Sequence, residues 1–381
     1  MRIALIARGC RPGAGIENYT YELARRLARR HEVHLLSRPR EVSPCGARVL
    51  PVRCPSHPLW FSILRFSRTA GQMARQGSYD VVHTQGSDGD WGDVVTAHSC
   101  HAAGMWASLQ HCPGLGNRLR KSFSPAHRVI LELERGTFRR AGHLVAVSRR
   151  VGLQLRAVYP ATRKIPLQVV YPGVHLPSVS AAERKRVRGE LAERLGYDAH
   201  AVVFALVANA LKLKGADRVI ESLARVRHPG AVLLLASRQG EDPDLAELAR
   251  RRGLAARVRF LPPGADPRPV FAAADVYIAL PEYEAFGLAI LEAMAFGLPL
   301  IITRNAGAAE ILGPAAGGFR LPSRADTRTV AGAMDRLAAD ARARLRLGRA
   351  ARAAAANWSW DKTAERLEEI YACVAAARAG R

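Results

Sequence analysis

The chain has 381 residues, more than one hydrophobic core usually holds and comfortable for two domains. Hydrophobic residues at 49% and charged residues at 24% exclude a disordered chain, and no apolar run reaches the roughly 18 residues of a membrane-spanning helix. The formal net charge is +24, spread unevenly: residues 1–177 carry 26 Lys+Arg against 10 Asp+Glu, a net +16, while the remainder carries 31 against 23, a net +8.

The first element, MRIALIARG, has a five-residue apolar run, Ile3–Ala7, closed by Arg8 and Gly9, which reads as a buried strand and not as a signal peptide. IALIA, EVHLLS, DVVHTQ, DVVTAH and HLVAVS read as buried parallel strands, with NYTYELARRLARR and VSRRVGLQLRAVY as helices between them. This βαβ rhythm predicts a parallel sheet covered on both faces. VVYPGVHLP closes the first unit near residue 177, and the charged helix SAAERKRVRGELAERLG follows. The rhythm restarts with AVVFALVANA, AVLLLAS, RVRFLP, DVYIAL and LPLIIT, separated by the helical stretches ADRVIESLARV, DLAELARRRG, PVFAAA and GLAILEAMAFG. A last helix, WDKTAERLEEIYACVAAA, ends the chain. The expected fold class is α/β, with two doubly wound units in tandem joined near residues 174–182. Ligands of open α/β sheets bind at the strand carboxyl ends, so a cleft there is the expected site. The six cysteines are scattered without a C-x-x-C pair, so neither a zinc site nor a disulfide framework is expected and a reducing cytosol fits.

Five stretches carry chemistry. In GCRPGAGIENYTYELA, Gly13 and Gly15 lie between the first strand and the first helix, where a glycine-rich turn lets backbone approach a phosphate or an acceptor. The run is not G-x-G-x-x-G, which disfavours a dinucleotide site, and Glu17 reads as a helix-start charge. SDGDWGD contains Asp88 and Asp90 in a loop between strands, where such residues are common, and no metal is expected there. In DVVTAHSCHAAG, His98 lies just past a strand end and His101 follows it. In ANALKLKGADR, Lys212 and Lys214 occupy a turn between a buried strand and a helix starting near Gly215. They would neutralise phosphate there, or else are solvated loop lysines. Finally, YEAFGLAILEAMAFGLPLI places Glu284 before a helix start near Leu288 and Glu292 about 6 Å along its axis. Free N–H groups at that start favour a phosphate, Gly287 leaves the backbone open to a ligand, and a carboxylate accepts two vicinal sugar hydroxyls. A glycosidase pair across one bond fits this arrangement poorly, and a purely structural role is the other reading.

Glu-Ala-Phe-Gly-Leu-Ala-Ile-Leu-Glu resembles the E-x7-E signature of retaining, nucleotide-sugar-dependent glycosyltransferases of family 4, and RVRFLPPGADPRPVFAAADVYIALPEYEAFGLAILEAMAFGLPLIIT resembles their whole donor-domain core. The resemblance implies a GT-B fold: an acceptor-binding domain at 1–175 completed by a returning C-terminal helix at about 358–381, and a donor-binding domain at 176–357. It implies that Glu284 binds donor-sugar hydroxyls, that Glu292 binds the ribose, and that backbone at Phe286, Gly287 and Leu288 faces the sugar and diphosphate. Gly13-Ala14-Gly15 resembles the G-G-x-E loop, and His98 matches a histidine that hydrogen-bonds the donor sugar, with His101 a second candidate for the acceptor. The usual G-R-x-x-x-x-K-G pattern is altered, with Ala208-Asn209 at the Gly-Arg positions. The variant is similar to the lipopolysaccharide core glucosyltransferase branch, and Lys214, then Lys212, would hold the diphosphate. The implied reaction moves a hexose from a UDP-sugar to a glycan, lipid-linked or small-molecule hydroxyl, with no cofactor and no metal.

The basic surplus fits an anionic partner, though only 6 of 57 basic residues are lysine, which GC-rich coding explains equally well. No nucleic-acid-binding motif accompanies it, so no nucleic acid is expected. Residues 105–138 mix apolar groups with Arg118, Arg120 and Lys121, and with the ER-x-x-F run at Glu134–Phe138. Like LWFSILRF at 59–66, this segment reads as a peripheral contact with the cytosolic membrane face or as ordinary helix packing. Two other functions stay open: a nucleotide-sugar epimerase on the same architecture, and a non-catalytic membrane- or nucleic-acid-binding protein.

Overall fold

The computed structural model describes residues 1–13, 15–43, 45–110, 123–312 and 317–379. Contacts divide it into two units, residues 1–173 with 359–381 and residues 174–358.

Unit 1 is built on a seven-stranded parallel sheet: β1 Arg2–Ile6, β2 Glu32–Ser37, β3 Arg48–Pro51, β4 Val81–Gln85, β5 Gly92–Ala97, β6 Ala141–Ala146 and β7 Leu167–Val169, in the order β3-β2-β1-β4-β5-β6-β7. Its central strands are buried without alternation because helices cover both faces. The helices are α1 Gly15–Leu27, α2 Leu59–Gln76, α3 His101–Gln110, α4 Pro125–Arg139 and α5 Arg149–Val158.

Two stretches that the sequence leaves open between membrane contact and helix packing carry packing residues. α2 turns Ile63, Phe66, Ala70 and Ala74 into the core and leaves Leu59 and Trp60 exposed. The ER-x-x-F run lies inside α4: Phe138 is fully buried against the Tyr159 ring, 5.6 Å between centroids, and Glu134 is buried as well. Glu134 accepts the backbone N–H of His101 on both oxygens (3.1 and 3.0 Å) and the Tyr159 hydroxyl (2.7 Å), so it caps the start of α3 and does not face a membrane. Arg118, Arg120 and Lys121 lie outside the described residues.

Unit 2 carries a six-stranded parallel sheet: β8 Val202–Val207, β9 Ala231–Ala236, β10 Val258–Phe260, β11 Val276–Ala279, β12 Leu300–Thr303 and β13 Gly318–Leu321, in the order β10-β9-β8-β11-β12-β13. Its helices are α6 Ala181–Leu195, α7 Ala216–Leu223, α8 Pro243–Arg251, α9 Arg268–Ala273, α10 Leu288–Ala295, α11 Thr327–Ala339 and α12 Ala341–Ala355. Local chemistry sets their ends: Ser180, Asp242, Asp326 and Asp340 cap four of them through side-chain oxygens, and Gly196 ends α6 in the left-handed region. The last helix, α13 Trp360–Ala379, belongs to unit 1. It buries Trp360, Leu367, Ile370 and Tyr371, and Asp361 receives a 2.8 Å bond from the Arg26 guanidinium of α1. None of the described helices is long and apolar enough to cross a membrane.

In each sheet the strand order reverses at one point, between β1 and β4 in unit 1 and between β8 and β11 in unit 2. Loops leaving neighbouring strands diverge there and open a crevice at the carboxyl ends. The glycine-rich loop follows β1, the lysine loop follows β8, and the Glu284 loop follows β11.

Burial pushes the Glu134 carboxyl from 4.5 up to about 7. Between those values the native state binds a proton that the unfolded chain has lost, so this group's contribution to stability falls as pH rises through the window, by up to about 3 kcal/mol. Glu134→Gln is expected to flatten the pH dependence of urea unfolding between pH 5 and 7.5. An unchanged slope would mean that Glu134 is ionised in both states.

Candidate active site

The site in unit 2 begins with a backbone contact. After β8 the chain makes a 3₁₀ turn over Lys212–Lys214 and reverses at Gly215, whose φ is +72°. A Cβ at that position would lie 2.7 Å from the carbonyl oxygen of Leu280, so only glycine fits. The Leu280 N–H in turn donates to the Lys214 carbonyl at 2.8 Å. This seats the lysine loop on the end of β11, and the Lys214 ammonium pairs with the Glu284 carboxylate.

The Glu284 loop is fixed from its other side by the chain after β12. Thr303 Oγ1 donates to Pro281 O (2.5 Å), Asn305 Nδ2 to Glu282 O (2.9 Å), Gly307 N to Glu284 O (3.1 Å) and Ala308 N to Phe286 O (2.7 Å). Gly287, at φ +99°, turns the chain into α10, and no side chain caps the helix there. The opposite end of α10 is neutralised: Arg184 donates to Phe296 O and Arg352 to Ala295 O. The helix thus presents the bare N–H groups of Leu288 and Ala289 beside the Lys214–Glu284 pair, an electropositive seat for an anion.

Glu292 stands in the second turn of this helix, half-buried, and accepts no hydrogen bond from the described residues. Burial raises its carboxyl to about 7, with His175 pulling the other way. Lys212, expected beside Lys214, instead reaches Asp244 and Asp242 (3.4 Å to the latter) at the start of α8, so the turn does not bring it to Glu284. Asn209 is exposed in the same loop.

In unit 1, Gly13 takes φ +86° and its N–H donates to Asn18 Oδ1 (3.2 Å), and Gly15 is the first residue of α1. Glu17 receives Arg11 Nε at 2.6 Å, the helix-start charge the sequence indicated. Asp88 receives the Arg8 backbone N–H (2.8 Å) and Nε (2.6 Å), and Asp90 receives Arg75 (2.8 Å), so arginines already hold both carboxylates. Among the described residues no cluster of three or more His, Cys, Asp or Glu side chains has metal-binding geometry. His98 follows β5, with Nε2 2.7 Å from Gln85 Oε1 and its ring edge-on to Tyr19 at 4.7 Å; burial lowers its pKa to about 3. His101 is engaged elsewhere, its Nε2 3.0 Å from His127 Nδ1, and burial lowers its pKa to about 4. The sequence reading missed Gln85, which carries His98. The available signal was a buried strand ending in three polar residues, His83, Thr84 and Gln85.

Known proteins resemble this chain in sequence and fold. A family profile described as "Glycosyltransferase Family 4" matches residues 13–177, and one described as "Glycosyl transferases group 1" matches residues 188–354. The D-inositol 3-phosphate glycosyltransferase of Salinispora arenicola is 31% identical, over 77% of this chain and 69% of the relative. This chain belongs to the family 4 glycosyltransferases. The enzyme of the same description from Xylanimonas cellulosilytica is 28% identical over 96% of this chain and 93% of its own. WaaG, a glycosyltransferase involved in lipopolysaccharide biosynthesis, superposes with a TM-score of 0.79 at 20% identity, covering 97% of this chain and 99% of WaaG. Anabaena HepE, crystallised with UDP and glucose, gives 0.72 at 19% identity, covering 98% of this chain and all of HepE. The fold of this family 4 glycosyltransferase is therefore GT-B.

A half-buried carboxylate that accepts no hydrogen bond from the described residues costs the fold stability once it is ionised. Glu292→Gln is expected to raise stability at pH 8 by about 1–3 kcal/mol, with the gain shrinking toward zero at pH 5, where Glu292 is already protonated in the fold. Urea unfolding at the two pH values reads this directly. A variant no more stable than wild type at pH 8 would show that the carboxylate is compensated.

Proposed function

We propose that this glycosyltransferase moves a hexose, with retention of configuration, from a nucleotide diphosphate sugar, a UDP-hexose first among them, to a hydroxyl of a glycan, lipid-linked or small-molecule acceptor. The observation that carries the reading is the Lys214–Glu284 ion pair beside the uncapped start of α10, with the open Glu292 carboxylate on the same helix. An entering diphosphate takes over Lys214 as its counter-ion and meets the helix N–H groups. Glu284, released from the lysine, accepts hydroxyls of the sugar, and Glu292 accepts those of the ribose. The bond from the anomeric carbon to the diphosphate oxygen breaks as the acceptor hydroxyl adds on the same face, and its proton passes to the departing diphosphate. Lys214 and the helix start hold the charge that develops on that oxygen, so the reading calls for neither a protein nucleophile nor a metal.

Unit 1 takes the acceptor in this reading, and His98 serves a sugar hydroxyl. A cytoplasmic enzyme peripheral to an anionic membrane face is supported by exposed Trp60, Trp106 and Phe123 in the basic half of the chain.

Thermal shifts with UDP-, GDP- and ADP-hexoses test the donor, and acceptors tried with the best donor should include D-inositol 3-phosphate, named for the curated relatives. At a hundred times Kd the correct donor stabilises by about 2.7 kcal/mol, a shift of a few degrees in Tm. If no nucleotide diphosphate raises Tm, the proposal fails; sugar epimerised without transfer would identify the alternative enzyme class. Glu284→Gln is expected to lower kcat by about 100-fold or more, and EDTA to leave the rate unchanged. Wild-type turnover by Glu284→Gln would remove that residue from the site.

A further inference from the structure

His98 uses one ring nitrogen and leaves the other open. Its Nε2 meets Gln85 Oε1 at 2.7 Å, whereas Nδ1 has no hydrogen-bond partner among the described residues. Behind this contact runs a buried chain of polar groups. Gln85 Nε2 lies 3.3 Å from His83 Nε2, which is also 2.7 Å from Thr96 Oγ1; His83 Nδ1 lies 2.6 Å from Tyr371 Oη on α13. Gln85, His83, Thr96 and Tyr371 are all buried.

Donor and acceptor chemistry assigns each proton in this chain. An amide oxygen only accepts and an amide nitrogen only donates. Gln85 turns its oxygen to His98, so His98 carries its proton on Nε2. Gln85 turns its nitrogen to His83, so His83 Nε2 is bare, and the His83 proton sits on Nδ1 and is donated to Tyr371 Oη. Burial holds both imidazoles neutral at physiological pH. Tyr19, edge-on at 4.7 Å, fixes the His98 ring from the α1 side without adding a charge.

We infer that Gln85 is a positioning residue that locks His98 in the Nε2–H tautomer, leaving Nδ1 as an obligate hydrogen-bond acceptor for a substrate hydroxyl. A phosphate or carboxylate oxygen finds no donor at Nδ1, so the group His98 takes is a hydroxyl. A neutral ring that resists protonation orients that hydroxyl and does not deprotonate it. The tautomer stands on the geometry of unit 1 alone; that the hydroxyl belongs to a sugar substrate rests on the proposed transfer reaction.

The test is long-range ¹H–¹⁵N NMR of the full chain with labelled histidine, using His98→Gln to assign the His98 signals. Wild type is expected to show a protonated Nε2 and a bare Nδ1 at His98 from pH 6 to 8. Gln85→Leu is expected to convert His98 to a mixture of tautomers and to lower kcat about 10-fold with KM changed far less. A wild-type His98 protonated on Nδ1, or a Gln85→Leu variant that keeps a single Nε2–H tautomer, would overturn the inference. The wild-type spectrum decides the matter even if Gln85→Leu does not fold. A correct tautomer in a chain that turns over no nucleotide sugar would sink the transfer reaction and leave the role of Gln85 standing, so the two failures are separable.

Discussion

The candidate donor site depends on the close approach of two backbones, Gly215 against Leu280. A left-handed glycine with no side chain lets the lysine loop rest on the end of β11, and one hydrogen bond from Leu280 N to Lys214 O holds it there. The parallel sheet makes this possible by placing β8 beside β11 at the reversal of strand order, so that segments distant in sequence leave the sheet at the same edge. Everything polar in the site follows from that seat. Lys214 reaches Glu284, the Glu284 loop is braced by the residues after β12, and α10 points its uncapped end at the pair. Arg184 and Arg352 complete the polarity of α10 by covering its carbonyl end with positive charge.

Two buried carboxyls show how similar electrostatics separate structure from function. Burial raises both Glu134 and Glu292 to about 7. Glu134 receives two backbone contacts from His101 and a tyrosine hydroxyl, and its task is to join α3, α4 and Tyr159. Glu292 has the same burden and no donor to relieve it. A carboxyl left unsatisfied on an otherwise apolar helix is the stronger candidate for a ligand contact.

Much of this was legible in the sequence because the buried strands are continuous apolar runs and glycines mark the turns. The presence of the central strands along the chain and the start of α10 near Leu288 follow from those signals, whereas the choice of Glu284 and Lys214 also drew on the family resemblance. The edge strands β3 and β13 did not, since each has four residues, a largely unburied pattern and only one neighbouring strand. Side-chain direction was illegible for a different reason. Lys212 and Lys214 are equivalent in composition, and only the 3₁₀ turn sends one to Glu284 and the other to Asp244. The ER-x-x-F run was left open between a membrane contact and helix packing because its pattern does not show which side of the helix is covered; α4 hides Glu134 and Phe138 on its inner side. The Gln85–His83–Tyr371 chain joins residues far apart in sequence, and no local pattern announces it.

The return of α13 to unit 1 also orders events at the ribosome. Unit 2 is a single continuous stretch and has all of its own sequence before α13 emerges. Unit 1 is begun first and finished last: Tyr371 cannot reach His83, nor Trp360 its place against Tyr19, until synthesis has passed through the whole of unit 2. Until then the nascent strands β4, β5 and β6, with the buried His83, lack the cover of α13. The unit that would take the acceptor is therefore completed after unit 2, and the twenty residues of α13 decide when it is.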